Sequence, residues 1–555
     1  MCISCVTRRS TNSPRRYSLS KFACMPPSST PSARRRSVTG SLLGAIALMG
    51  ATHPIALPAQ ERPSLAVLIV VDQLRPDYIP RFQSQLTGGL ARFWNQGTFF
   101  TDARQDHAIT ETAPGHSTLL SGRPPASTGI VANSRGVPDS TSPLIDVVGD
   151  GASPWRFRGT TLYDWMQARD PKTQALSVSR KDRGAILPIG RARNAQVYWY
   201  RQGKFTTSRW YAAALPDWLR GWNARRGPAR LTGQRWDLLL SHASYPEPDS
   251  APYENHSKDI TFPHRLPLDT VAALDAVEAT PCMDSLIADV ALTGMEAMRL
   301  GRRGSPDLLV ISFSATDNIG HQFGPDSREI HDQILRLDRL LARFMDSLAV
   351  LVPGPIVYAL AADHGVQSFP EQNGRGGRIG TQRLRDSLRR ELAPQSATAL
   401  TLRFDSGLLS GNVKALKASG VDIDSLARVT AARVRARPGV TQVYTPATLS
   451  RAPASSECAR LWRRVLPPDE QWLVASCTAP GWIFEEGPGE TGHGTVAVED
   501  MRIPVAFLGP GISPARIARR ITSEDVGPTF AALLGVRPTE PVVGKPLREV
   551  TSASQ

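Results

Sequence analysis

Leu65-Ala66-Val67-Leu68-Ile69-Val70-Val71-Asp72 is the stretch from which the fold is read. Apolar residues follow one another without polar alternation, and many are β-branched. That is the pattern of a strand buried on both faces, as in a parallel sheet covered by helices. The run stops on a carboxylate. Two further runs repeat the design: Asp307-Leu308-Leu309-Val310-Ile311-Ser312-Phe313 leads to Asp317 and His321, and Pro355-Ile356-Val357-Tyr358-Ala359-Leu360 leads to Asp363-His364-Gly365. Ala175-Leu176-Ser177-Val178 reads as a strand ending at Ser179-Arg180-Lys181-Asp182-Arg183, and Ile503 to Leu508 as a late strand.

Between the second and third runs, Ile330, Ile334, Leu337, Leu341, Phe344 and Leu348 recur three or four apart, which predicts a long amphipathic helix. Thr160 to Ala168 and Ser523 to Leu534 also read as helices. Strands alternating with helices define an α/β fold with a mostly parallel central sheet flanked by helices. In such sheets ligands gather beyond the carboxyl ends of the strands. Asp72, Asp317 and Asp363 are each expected there. A single catalytic domain is expected over 60–550. It carries inserted cap segments at about 190–285, rich in Trp, Tyr and Pro and read as lying over the core outside the sheet, and at about 370–480, with a helical stretch at Ile423 to Arg435.

The 555 residues are 41% hydrophobic and 21% charged, a globular composition with a formal charge of +15. Eight of the basic residues and no acidic ones lie in the first 60. There Arg34-Arg35-Arg36 precedes an apolar core, Leu42 to Met49, and a small-residue region through Ala51 to Ala59. That order predicts an export signal over 1–59, hence a periplasmic or secreted protein. The apolar core is shorter than the roughly 20 residues of a membrane anchor. Removing the eight leaves +7, a mild positive charge that favours small anionic substrates. No dense basic stripe with interleaved aromatics points to nucleic acid. Of six cysteines, Cys282, Cys458 and Cys477 lie beyond the leader; Cys458 and Cys477 are placed to close a loop, which leaves Cys282 over.

Thr110-Glu111-Thr112-Ala113-Pro114-Gly115-His116 sets a hydroxyl, Thr112, just ahead of a proline and a glycine, at the opening of a helix. A hydroxyl there meets unpaired N–H groups and the positive end of a helix dipole, which suits an anion. Asp317 and His321, four apart, can point at one ion from one helical turn. Asp363 and His364 can share a site if the chain turns at Gly365. With Asp72 and His493 they supply three carboxylates and three histidines, enough for two ions, and mixed N/O ligation suits zinc.

These landmarks, with Gly129-Ile130-Val131-Ala132-Asn133, Lys181-Asp182-Arg183, Thr316-Asp317-x-x-Gly320-His321 and Gly492-His493-Gly494, resemble the alkaline phosphatase superfamily over nearly the whole mature chain. The pattern is most similar to the phosphate-irrepressible alkaline phosphatases with a threonine nucleophile. The resemblance implies that Asp317, His321 and His493 hold one Zn²⁺, and that Asp72, Asp363, His364 and the Thr112 oxygen hold the other. It implies that Asn133, Lys181 and Arg183 contact the phosphoryl oxygens, with small phosphorylated molecules as substrates and hydrolysis through a phosphothreonine. Two cations at Lys181 and Arg183 suit a dianionic monoester. A phosphodiesterase or nucleotide pyrophosphatase of the same superfamily is the rival expectation, and a non-catalytic, metal-dependent phosphate-binding protein a remote one.

Overall fold

The computed structural model describes residues 62–225, 231–374, 376–392 and 402–552. The export-signal expectation lies outside the described residues. The central sheet is built from β1 (Leu65–Val71), β2 (Thr98–Arg104), β3 (Ala175–Ser179), β4 (Gln196–Arg201), β5 (Lys204–Thr206), β6 (Asp307–Phe313), β7 (Ile356–Ala361), β8 (Arg502–Leu508), β9 (Ala515–Ile517) and β10 (Ile521–Thr522). Its order is β9-β2-β8-β7-β1-β6-β3-β4-β5, with β10 also on β2. The five adjacent strands β7, β1, β6, β3 and β4 are mutually parallel. β8 runs antiparallel to both its neighbours, and β5 antiparallel to β4.

Every residue of β1, β6 and β7 is buried, which is why none of the three shows alternation in the sequence. Helix Arg328–Leu351 starts at Ser327, whose hydroxyl accepts from Ile330 N, and buries all six of the periodic apolar residues. It packs on helices Gly89–Gln96 and Pro281–Met298. Burying each large side chain on that face contributes roughly 1.5–3 kcal/mol. Helix Leu162–Arg169 is opened by a Thr161/Asp164 capping box.

The stretch 190–285 does not lie wholly over the sheet. Gln196–Arg201 extends it parallel to β3, and Lys204–Thr206 closes its edge. Val197, Tyr198, Trp199 and Tyr200 are all buried, so a strand sandwiched on both faces carried no alternation to betray it. Within 370–480 a second, antiparallel sheet forms from Arg403–Asp405, Leu408–Ser410, Trp472–Thr478 and Val440–Tyr444, with helix Ile423–Arg435 against it. Cys458 and Cys477 are disulfide-bonded. Cys282 is disulfide-bonded rather than left over.

Candidate active site

The four central strands deliver four charged side chains to one edge. Asp363 follows β7, Asp72 follows β1, Asp317 lies in the first turn of helix Ala315–Phe323 after β6, and Lys181 follows β3. Because β7, β1, β6 and β3 are adjacent and parallel, these residues meet although nearly 300 positions separate the first from the last. Lys181 Nζ lies 2.6 Å from both Asp72 Oδ2 and Asp317 Oδ2.

Helix Thr112–Leu119 crosses this edge. Its N-cap is Glu111, in extended conformation, so Thr112 is the first helical residue rather than the cap. Proline and glycine two and three positions inside a helix are an ambiguous signal for its first residue. Thr112 is buried, and its Oγ1 accepts from Lys181 Nζ at 3.2 Å. Gly115 lets the helix close on Asp363: a Cβ at that position would lie 2.2 Å from the Asp363 carbonyl oxygen. Asn133 is held on two sides. Its Oδ1 accepts from Ala113 N at 2.8 Å, and its own N–H donates to Glu111 Oε2 at 2.7 Å. Arg183 is the second residue of helix Asp182–Ile186, whose N-cap is Lys181, and is partly exposed; its Nε has no hydrogen-bond partner among the described residues.

The histidines share one arrangement. His321 Nδ1 lies 2.7 Å from the Thr491 carbonyl, His493 Nδ1 2.7 Å from the Thr110 carbonyl, and His364 Nδ1 3.0 Å from the Gly365 carbonyl. A carbonyl can only accept, so each Nδ1 carries a proton, and in the neutral imidazole Nε2 is the atom left with a lone pair. The Nε2 atoms of His321 and His493 lie 3.3 and 3.7 Å from Asp317 Oδ1, and that of His364 lies 3.4 Å from Asp72 Oδ1. The rings of His364 and His493 stack at 3.6 Å.

Two groups of ligand atoms converge within 4.8 Å: Asp72, Asp363 and His364 in one, and Asp317, His493 and His364 in the other. The first brings together three of the four ligands expected for one ion, the fourth being the Thr112 oxygen. In the second, His364 takes the place expected for His321, because it sits between the two groups. His321 remains adjacent through Asp317.

This chemistry fits cations. Asp72 Oδ1 and His364 Nε2 are buried without a hydrogen-bond partner among the described residues. Such atoms are costly to leave unmet. Three carboxylates face one lysine. Burial and the nearby Asp317 and Asp363 push the Asp72 carboxyl well up. Burial acts in the same direction on Asp317, but Lys181 and His321 outweigh it and hold that carboxyl well below its usual range. Burial lowers the His364 and His493 imidazoles, which keeps them neutral, the state in which they can ligate. His321 goes the other way, to about 9, because Asp317 overcomes its burial.

Sequence reasoning missed the supports. Gln73 has a left-handed backbone (φ 66°), a strained state for a side-chain-bearing residue. From there its Nε2 donates to Asp317 Oδ1 at 3.0 Å and its N–H to Asp363 Oδ1 at 3.2 Å. Gly320 makes room for it: a Cβ there would lie 1.8 Å from Gln73 Oε1. Buried His116 ties the Thr112 helix to Asp363 Oδ2, at 3.1 Å, and to Ser312 of β6, at 2.9 Å. Glu111 joins Asn133 to Ser406. Position next to Asp72 and Thr112 was the available signal for Gln73 and Glu111, and Gly115-His116 for the other.

The family model described as type I phosphodiesterase / nucleotide pyrophosphatase matches residues 66–489. Alkaline phosphatase PhoV of Synechococcus elongatus is 29% identical over 88% of this chain and 93% of its own length. A Myroides odoratus protein named calcium-transporting ATPase is 30% identical over 88% of this chain and 95% of its own. The crystal structure of alkaline phosphatase PafA superposes with a TM-score of 0.80 at 26% identity, covering 89% of this chain and 100% of that one. The chain belongs to the type I phosphodiesterase / nucleotide pyrophosphatase family, within the alkaline phosphatase superfamily. The relatives' names disagree, so the particular activity is argued from the site.

Proposed function

We propose that the protein is an exported, zinc-dependent alkaline phosphatase that hydrolyses phosphate monoesters through a phosphothreonine. The observation that carries this reading is Lys181 Nζ, 3.2 Å from Thr112 Oγ1 and 2.6 Å from carboxylates of both ligand groups. It joins a hydroxyl at a helix start to a cation and to two sets of metal-ligating atoms.

Asp72, Asp363 and His364, with the Thr112 oxygen, would hold one ion. Asp317 and His493, with His321 or the shared His364, would hold the other. When bound, zinc supplies Lewis-acid stabilisation of oxygen anions and eases deprotonation of a bound hydroxyl. The rest is done by this chain. Thr112 presents its oxygen at the positive end of its helix, where negative charge is favoured. It gives up its hydroxyl proton to solvent and attacks phosphorus in line; the ester P–O bond breaks, the phosphoryl group passes to Thr112, and the departing alkoxide takes a proton from solvent and leaves as the alcohol. Negative charge spreads over the outer oxygens in this loose transition state. Arg183 can grip two of them with its planar fork, and Lys181 adds a point charge. The Asn133 side-chain oxygen is engaged by Ala113 N, so its amide N–H groups face away and are available to a third. Water then attacks the phosphothreonine from the opposite side and releases phosphate.

Two cations favour a dianionic monoester over a monoanionic diester, and this separates the reading from the phosphodiesterase activity in the family's name. The Cys458–Cys477 disulfide supports export, since such bonds persist in oxidising compartments. The test is phosphate release from an aryl phosphate monoester and from the matching diester, with and without a chelator. Monoester turnover that exceeds diester turnover and is abolished by the chelator is expected. No monoester turnover by zinc-loaded protein refutes the proposal.

A further inference from the structure

A cavity of about 950 Å³ lies against the loop that carries Asn133. Its wall includes Arg135, Arg156, Arg158, Arg191, Arg403 and Trp155, and its lining contains one carboxylate, Glu470. Arg135 belongs to the same helical turn as Asn133. The strand bearing Arg403 leads to Ser406, which donates to Glu111. The cavity therefore shares a wall with the candidate active site, but none of its lining residues is among the metal-ligating or phosphoryl-contacting ones.

Among the described residues, the ion pairs of these five arginines are Arg135 with Glu470, and Arg158 with Asp469. Arg191 is spent on the carbonyls of Trp155 and Phe157, at 3.1 and 3.4 Å. Among the described residues Arg156 and Arg403 have no carboxylate partner, and Arg156 Nη1 is buried with no hydrogen bond. The Arg156 guanidinium lies 3.9 Å from the Trp155 ring centre, on a tryptophan that is 46% exposed. Burial lowers the Arg156 guanidinium, and Arg135 and Arg403 lower it further, with Asp139 opposing. The three cations are thus close enough to repel. Crowded guanidiniums with unmet donors call for an anion with many oxygens, which their planar forks match. The volume is that of a small-ligand site and exceeds a single phosphate.

We propose that this cavity is a second anion site that binds a short linear polyphosphate of three or more phosphoryl groups, with Arg156 and Arg403 as its main contacts. Binding is non-covalent, and the site is distinct from the one holding Thr112.

The experiment is calorimetric titration of the full-length protein with tripolyphosphate, and with orthophosphate for comparison, at low and high salt. Wild type should bind tripolyphosphate at least about tenfold more tightly than orthophosphate, less so as salt screens the cavity. Arg403→Glu and Arg156→Ala should each weaken tripolyphosphate by at least about tenfold, the scale of one charge-assisted contact, and leave hydrolysis of a small aryl phosphate unchanged. Arg403 is exposed, so its variant reports even if Arg156→Ala does not fold. Unchanged affinity in Arg403→Glu overturns the proposal. So does tripolyphosphate binding that is lost in Lys181→Ala instead, or a single-stranded oligonucleotide that binds more tightly with the same dependence on Arg403.

Discussion

Gly115→Ala is a small perturbation with a large expected effect. On an exposed helix the change would stabilise by up to about 1 kcal/mol through helix propensity. Here the new methyl would lie 2.2 Å from the Asp363 carbonyl oxygen and 2.8 Å from both its carbonyl carbon and its Cβ. To reach ordinary contact, the helix and the Asp363 segment must separate by about 1 Å. Neither partner can give way cheaply. The obstacle is backbone, Asp363 is fully buried, and the adjoining His116 is itself pinned to Asp363 and Ser312. Overpacking of this kind costs about 1–3 kcal/mol, so the net effect is destabilising despite the gain in propensity. The displacement falls between Thr112 and Asp363, and a shift of about 1 Å at reacting groups can cost about 100-fold in rate. The assay is thermal unfolding together with initial rates of monoester hydrolysis and bound-metal content. A lowered Tm, a rate loss of about 100-fold and reduced metal content are expected. A variant with unchanged rate and a raised Tm would refute the close-packing argument.

Replacing Lys181 and Arg183 by Ala should reduce monoester kcat/KM by about 100- to 1,000-fold each, the cost of removing a donor to developing charge, and reduce diester hydrolysis less; equal losses would remove the basis for the monoester preference. Asp500 is fully buried, and burial pushes its carboxyl up to about 7. A carboxyl whose folded value lies above its unfolded one makes the native state bind more protons, so stability is full at low pH and falls as pH rises from about 4 to 7. Its Oδ2 accepts from Thr495 and Gln367, while Oδ1 has no partner among the described residues, so Asp500→Asn preserves the acceptor and should flatten this part of the Tm–pH curve; parallel curves would count against it. Glu524, also raised to about 7 by burial, should leave a residual slope in that variant. Cys458→Ser opens a loop of 19 residues' separation and should cost about 3 kcal/mol of stability with little change in activity, measured by denaturant unfolding and steady-state rates.

The sequence carried the site's inventory because its inventory is local. Asp72, Asp317, Asp363 and Lys181 each stand just beyond a buried apolar run, and β-branched continuity marks such runs without any tertiary information. Parallel pairing then obliges their ends to converge, since adjacent strands running the same way carry their carboxyl ends to one edge. The three- to four-residue periodicity of helix Arg328–Leu351 was legible for the same reason. The Gln196–Arg201 strand was not, because full burial removed its alternation and its aromatic content resembled a cap.

What the linear order left open is which groups share an ion, how the supports are joined and where charge accumulates. His364 lies in both ligand groups because its ring stacks on His493, 129 positions away, a contact set by packing. Gln73 reaches Asp317 only because Gly320 leaves space for it, and Glu111 meets Asn133 and Ser406 only when three distant segments pack together. The arginine-lined cavity is the extreme case. Arg135, Arg156, Arg191 and Arg403 are dispersed along the chain and form no basic run, so the charge they concentrate exists only once the two sheets are in place. Residue type and strand pattern are properties of short segments and are written in the sequence; the distances that make a metal site or an anion site are long-range contacts, and folding alone decides them.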